Sequence, residues 1–326
     1  MTKQSSTILL VCDATFESGS GHVMRQITLG VALKALGLNP ILFCFSIPDA
    51  LVARAQEFGI PVKKRTVEEK SHDLARVIID LKPAIVAFDG YEFSHETICE
   101  VFESDILTML IDDNGELSSN PCHLFLNQNL HASLEMYESN PSRTKFLLGA
   151  QFALIRQDVC QQTRRFSSRR KNEVLIAIGG TDIKSIGQLL TESMKEHKSI
   201  NLIFGSGFLA NNGLNPAQLA LEMSQCTVGV IGCGTTLWEA AYLGMPCIAL
   251  VVADNQKNMA HSAIMHEIAI IIDCQKETPL QEINDSVNYL LSNKVIRKKI
   301  SHNGVTLFDG KGAARVSQEI KNLLLG

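Results

Sequence analysis

The sequence predicts an α/β protein made of two doubly wound parallel-sheet domains, and three observations carry that expectation. Short apolar runs rich in Ile, Leu and Val alternate with amphipathic stretches of about 10–15 residues, the pattern of strands covered on both faces by crossover helices. The alternation occurs twice, with a polar, basic stretch near residue 160 between the two sets. The chain has 326 residues, enough for about two domains of ordinary size.

The first set opens with a strand over residues 6–12, followed by glycines and a helix over 22–36 that Gly37 stops. Next come a strand at 40–45, a helix at 49–58, a weak strand at 60–63 and a helix at 68–81 with Pro83 beyond its end. A strand at 84–88, a helix at 95–102 and a strand at 106–111 continue the alternation. The pattern weakens over 121–152, where 123–126 and 145–148 read as short strands of the same sheet. Residues 156–171, with Ser167-Ser168-Arg169-Arg170, read as a linker. The second set places strands at 173–178, 200–204, 227–231, 246–251 and 268–272, and a last helix at 313–325. The expected domains are therefore 1–158 and 172–326, each a Rossmann-like unit, the two facing a cleft.

Composition narrows the functional classes. Hydrophobic residues are 45% and charged residues 20%, which excludes a disordered or fibrous chain. Lys+Arg is 30 against Asp+Glu 34, a net charge of -4 with no long basic track, so nucleic acid is not an expected partner. The most apolar stretches, 226–238 and 240–253, are separated by Glu239, and each is shorter than the roughly 18 residues of a membrane span. The apolar run 8–12 stops at Asp13 with no small-residue cleavage site after it. Nine cysteines are scattered singly with no CxxC; this reads as a reducing, cytoplasmic setting without structural zinc.

In open α/β sheets ligands bind beyond the carboxyl ends of the strands, so the residues just after each strand are the candidates. After the first strand stands Gly19-Ser20-Gly21-His22-Val23-Met24-Arg25. Its glycines allow close approach of backbone to ligand, and a helix start favours an anion. The helix dipole disfavours an imidazolium at His22, leaving it neutral and available as a general base near pH 7. Met24 occupies the place of a third glycine, so a dinucleotide fingerprint fits poorly and no cofactor is expected. Gly19, Gly21 and Arg25 are read as substrate contacts.

Asp13, Asp89, Asp112 and Asp113 also follow strands. Asp89-Gly90-Tyr91 would bring a carboxylate and a phenol near His22, whereas Asp112-Asp113 is read as a cap rather than a metal pair. In the second half, Gly179-Gly180-Thr181-Asp182 is a turn and helix cap in which Gly180 can face a phosphate. Gly232-Cys233-Gly234-Thr235-Thr236 offers amides and hydroxyls suited to a diphosphate. Glu239 follows about one turn on, where it accepts ribose hydroxyls or acts as a dipole charge; Trp238 is read as core. Asn255 and Gln256 either donate to a sugar or phosphate or form a capping turn.

Taken in order, GSGHVMRQITLG (19–30), IDD (111–113), FLNQN (125–129), LLGAQFALIR (147–156), IAIGGTD (176–182), GCGTTLWE (232–239) and ADNQ (253–256) give a resemblance that runs almost end to end. The chain resembles the bacterial UDP-2,4-diacetamido-2,4,6-trideoxy-β-L-altropyranose hydrolases of pseudaminic acid biosynthesis and the related spore-coat polysaccharide proteins, within the glycosyltransferase B-type superfamily. That resemblance implies a UDP-sugar substrate and metal-independent hydrolysis at the anomeric carbon. It makes His22 the catalytic histidine, with Tyr91 lining the sugar site; with the residue reading above, His22, Tyr91 and Asp89 are the expected catalytic residues. The GCGTT turn would hold the diphosphate, Glu239 the ribose, and Asn255 and Gln256 the sugar or its α-phosphate. Two departures stand out: Gly90 replaces the histidine of the family's Asp-His-Tyr, and residues 181–226 are short by about one strand–helix unit. A glycosyltransferase on the same scaffold and a non-catalytic nucleotide-sugar binding protein are the competing readings.

Overall fold

The structure, a computed structural model, describes residues 7–15, 19–65, 74–90, 92–137, 144–163, 173–179, 185–194, 201–204 and 214–326. The chain divides into two compact units, one of residues 1–154 with 311–326 and the other of residues 155–310. Tyr91 and Gly180 lie outside the described residues, as does the 164–171 part of the expected linker.

Unit one is built on β1 (Thr7–Cys12), β2 (Asn39–Cys44), β3 (Val62–Lys64), β4 (Ile85–Asp89), β5 (Leu107–Ile111), β6 (Leu124–Asn127) and β7 (Lys145–Leu148). Among the described residues they form one parallel sheet in the order β3-β2-β1-β4-β5-β6-β7. The strands are continuous apolar runs because helices cover both faces, and Phe43, Phe88 and Phe125 lie in the core on one face. The strand order reverses between β1 and β4, where Cys12 sits opposite Asp89 in register. That reversal opens a crevice at the carboxyl ends of these two strands.

Helix Gly21–Ala35 follows β1. It ends in a Schellman motif: Leu38 N–H donates to Leu33 O, Gly37 N–H donates to Lys34 O, and Gly37 takes φ +77°. Its Gln26 is fully buried, and neither amide atom has a partner among the described residues. Gln26→Met keeps the volume and removes the unsatisfied amide. It should stabilise the fold by about 1–3 kcal/mol, read as a higher urea midpoint. A lower midpoint would refute this account of the site.

Unit two is built on β8 (Glu173–Ala177), β9 (Asn201–Phe204), β10 (Val228–Gly232), β11 (Cys247–Val251) and β12 (Ile270–Asp273). Among the described residues these strands pair in parallel in the order β12-β11-β10-β8-β9, with the reversal between β8 and β10. Gly232 ends β10 so close to β8 that a Cβ there would lie 2.5 Å from the Ile178 carbonyl oxygen; no larger residue fits this backbone approach. Trp238 is in the core as expected, stacked on Phe308 at 5.2 Å between ring centroids.

Two boundaries differ from the sequence expectation. Residues 156–160 are not a linker: Gln157–Cys160 is a short helix of unit two with Asp158 and Val159 buried. The polarity that reads as solvated linker is consumed by internal pairing, described below. The last helix, Gly312–Leu325, belongs with unit one and not with the second domain. It packs on helix Gly21–Ala35, its Arg315 Nη1 donates to Gln151 O at 2.8 Å, and Glu319 pairs with Lys145 at 2.6 Å. Its buried Val316 and Ile320 supply the apolar stripe for that packing.

Candidate functional site

The crevice of unit one is lined by the turn after β1. Gly19 takes φ +76° and donates its amide to Thr15 O, and a Cβ at Gly19 or Gly21 would meet nothing within 4 Å among the described residues. Open space thus lies at both glycines. Ser20 caps the helix without a side-chain hydrogen bond, so the first amides are not claimed by it.

His22, half-buried, is in the first turn of this helix. Its pKa is held below the usual imidazole range chiefly by burial; Asp89 and Asp113 oppose that and Arg25 reinforces it. The imidazole is therefore neutral at pH 7, and loss of water contributes most to that.

Arg25 sits one turn further on and is buried. Its Nε and Nη2 donate to the two oxygens of Asp89 at 2.7 and 2.5 Å, and its Nη1 donates to both oxygens of Asp113 at 2.8 Å. The guanidinium read from the sequence as a substrate contact is thus bonded within the protein. All three guanidinium nitrogens are engaged inside unit one, because two carboxylates delivered by β4 and the loop after β5 converge on it. Burial works against the guanidinium charge, but Asp113 and Asp89 outweigh it and hold Arg25 firmly protonated. Asp89 is likewise fully buried in this pair, so its oxygens bond to Arg25.

The other carboxylates hold loops. Asp13 Oδ1 accepts from the Phe45 and Ser46 amides at 2.6 and 2.8 Å. Asp112 accepts from the amides of Asn114, Gly115 and Leu117, the capping role expected for it. Asp113 is held further: Asn129 Nδ2 donates to its Oδ1 at 2.8 Å, and its carbonyl meets His131 Nε2 at 2.8 Å. Asn127 links on to Asn129 and to the Tyr137 hydroxyl. The FLNQN run therefore buttresses Asp113, a role that its spacing alone does not reveal.

In unit two, helix Thr235–Leu243 starts straight after β10. Gly234 is its cap, with no side-chain hydrogen bond, and a Cβ at Gly234 would meet nothing within 4 Å. Leu237 N–H is satisfied by Gly234 O, while the Thr235 and Thr236 amides belong to the first turn, which has no intrahelical acceptors. Aligned amides and two hydroxyls beside open space are what an anion requires.

Glu239 is buried inside this helix, and both its oxygens are held by Arg156, Nε to Oε1 at 2.5 Å and Nη2 to Oε2 at 2.6 Å. It is a fork-on-fork pair rather than a first-turn dipole charge. Arg156 was missed from the sequence; it closes the LLGAQFALIR run, but its partner lies 83 residues away. Asn255 is exposed in the turn Asp254–Gln256, and Gln256 Oε1 accepts from the Val252 amide at 2.9 Å, so the capping-turn reading describes part of this loop. One group of metal-ligand types occurs among the described residues, Glu173, Glu222 and Cys226, at the amino end of β8, the edge opposite the candidate loops.

Comparisons with known proteins agree with the resemblance read from the motifs. No protein-family model matches the chain. It is 22% identical over 276 residues to an uncharacterized protein of Methanocaldococcus jannaschii, a match covering 77% of this chain and 56% of that one. The chain thus spans little more than half the length of that relative. It is 24% identical over 202 residues to the UDP-2,4-diacetamido-2,4,6-trideoxy-β-L-altropyranose hydrolase of Campylobacter jejuni, over 61% of this chain and 69% of that protein. It is 22% identical to the spore coat polysaccharide biosynthesis protein SpsG of Bacillus subtilis, over 96% and 97% of the two chains.

Among solved structures, MurG of Acinetobacter baumannii superposes with a TM-score of 0.66 at 15% identity, covering 97% of this chain and 99% of that one. Staphylococcus aureus MnaA with UDP gives 0.67 at 13% identity, covering 98% and 97%. At such identities these likenesses show the fold: two parallel sheets with surrounding helices, the glycosyltransferase B-type. Among the described residues no helix is long and apolar enough to cross a membrane.

Proposed function

We propose that the chain is an enzyme acting on nucleotide sugars in the making of a surface-polysaccharide sugar, such as a nonulosonic acid, and that its reaction is hydrolysis of a UDP-sugar at the anomeric carbon. The observation that carries this reading is a neutral imidazole, His22, at the strand-order reversal of unit one, beside glycines that open onto free space. The hydrolase of Campylobacter jejuni among the relatives supports it, and the UDP in the MnaA structure supports uridine.

The roles are proposed for each unit by itself. A water gives a proton to the unprotonated ring nitrogen of His22 as its oxygen bonds to the anomeric carbon. The bond from that carbon to the diphosphate oxygen breaks with its electron pair on the departing UDP. In unit two the amides and hydroxyls at Thr235 and Thr236, with Gly234, meet the charge on the diphosphate; this needs no metal. Glu239, oriented by Arg156, keeps lone pairs for the ribose hydroxyls, and Asn255 and Gln256 are proposed to reach the sugar or α-phosphate. Tyr91 keeps the sugar role that the resemblance implies, and Gly180 the phosphate role read from its turn.

Proton NMR on a panel of UDP-, GDP-, CMP- and dTDP-sugars tests the reading. Release of UDP and free sugar from a UDP-sugar, unchanged by EDTA, is expected. His22→Ala should lower kcat by about 10²-fold or more with a modest change in KM. The wild-type rate should fall on acidification below the usual imidazole pKa, because only the neutral base accepts the proton. Wild-type turnover in His22→Ala would remove the catalytic assignment. The second reading, a glycosyltransferase, draws support from the spinosyn rhamnosyltransferase SpnG with thymidine diphosphate among the solved structures. It predicts no donor loss until an acceptor is added. Binding of UDP without any sugar release would favour the non-catalytic reading.

A further inference from the structure

Cys99 is half-buried on helix His95–Glu103, and its sulfur lies 3.4 Å from His95 Nε2. His95 is exposed, and four residues before Cys99 it shares a helix face with it. The other ring nitrogen, Nδ1, is 2.8 Å from Asn120 Oδ1. Asn120 is buried, and its Nδ2 donates to Leu117 O at 3.2 Å. Leu117 is held in turn, its amide donating to Asp112 Oδ2 at 2.9 Å. These bonds fix which way round the Asn120 amide stands. Its oxygen faces His95, and an amide oxygen only accepts. Nδ1 therefore carries the hydrogen, which leaves the lone pair of the ring on Nε2, toward the thiol. A nucleophile, a base and a group that orients the base thus stand in line, the arrangement that activates a thiol.

The surroundings give the class of reactant. Burial, with Glu103 and Glu96, pushes the Cys99 thiol up, so at pH 7 it is protonated and must lose its proton as it reacts. Glu96, Glu100, Glu103 and Asp105 are exposed on this helix or just beyond it, and the sequence has no lysine or arginine between Lys82 and Arg143. Of the neighbouring elements, helix Leu74–Leu81 carries the opposite charges Arg76 and Asp80, both exposed, and the loop after β5 carries exposed Glu116. His123, against Phe102, is kept neutral by burial. A negative field of this kind draws in cations and repels anions.

We propose that Cys99, with His95 as its base and Asn120 as a positioning residue, is a thiol-modification site that takes a small cationic disulfide. As Sγ bonds to one sulfur of the disulfide, its proton passes to His95 Nε2. The S–S bond breaks with its electron pair on the other sulfur, which takes the proton from His95 and leaves as a free thiol. One thiol and one disulfide become one mixed disulfide and one thiol, so no further oxidant is needed. The hydrolysis proposed above uses none of these three residues. The cysteines other than Cys99 and Cys160 are buried. Cys160 directs its sulfur to Ile155 O and Gly310 O, each at 3.7 Å, and a carbonyl cannot take the proton.

Brief exposure of the whole chain to cystamine at pH 7, followed by mass spectrometry of its peptides, reads the rate at each cysteine. Cys99 should react first, about tenfold or more ahead of Cys160. It should react faster with cystamine than with glutathione disulfide, which is anionic, and added salt should narrow that gap. His95→Gln should slow Cys99 about tenfold or more at pH 7, and the loss should shrink as pH rises toward the thiol range, where ionisation replaces the base. Asn120→Ala should slow it less, with the same trend. A change of exposure alone would slow the reaction equally at every pH, and that result overturns the roles of His95 and Asn120. Cys99 reacting no faster than Cys160, or at the wild-type rate in His95→Gln, overturns the site. Faster reaction with glutathione disulfide overturns the cationic class. Should the variants not fold, the two wild-type comparisons decide.

Discussion

An Arg25→Ala chain is expected to lose about 3–5 kcal/mol of stability, enough to unfold a domain of ordinary margin. The substitution takes from Asp89, which is fully buried, and from Asp113 the guanidinium that both are paired with. Its signature is the pH trend. In the wild type, Arg25 contributes to holding the Asp113 pKa below its ordinary value. That stability is therefore present above the unfolded carboxyl pKa and is lost as pH falls through the folded one. Without Arg25, burial is left to raise the carboxyl pKa, so protonation favours the fold and stability should recover on acidification from pH 7 toward 5. Urea midpoints across that range check it. A variant as stable as wild type, with the wild-type trend, would mean that the ion pairs do not hold unit one together. Asp113→Asn placed on Arg25→Ala should recover part of the loss by removing one of the two carboxylates that lose the guanidinium.

The second large effect is expected at Glu239. Glu239→Ala strands the guanidinium of Arg156, which burial already works against and which Glu239 keeps charged. A cost of about 3–5 kcal/mol follows for unit two. Replacing both partners by apolar residues of similar volume should cost far less, so the double variant melts above the single one. This separates two causes of weak UDP binding. If Glu239 only braces the helix, Arg156→Leu with Glu239→Leu restores both stability and UDP affinity. If its carboxylate also meets the ribose, stability returns while calorimetry still shows weakened UDP binding.

Both predictions depend on partners that local sequence cannot reveal. The strands were legible because parallel strands buried on both faces are runs of Ile, Leu and Val, as in Thr7–Cys12 and Cys247–Val251. The helix after β1 was legible from its glycine stop, and the Gly234 start from glycine and threonine after a strand. Trp238 was legible as core. The internal bonds of Arg25 are not legible in the sequence, because an arginine near a glycine turn has the same local appearance whether it faces solvent or two carboxylates; those carboxylates lie 64 and 88 residues away. Arg156 was missed for the same reason. The neutrality of His22 was foreseen, but the larger cause is burial, which only packing creates.

What the sequence determined by itself is the alternation of strands and helices, the division into two parallel sheets, and the places where chain leaves a strand through glycine into a helix. These depend on periodicity and backbone freedom, properties of neighbouring residues. Tertiary structure alone decided that the final helix, Gly312–Leu325, packs against the helix carrying His22 rather than completing unit two. It also decided that Arg25 and Glu239 bond inside their own units. Apolar stripes and charges fix what a segment requires of a partner, but many segments meet that requirement, and only the folded arrangement selects one.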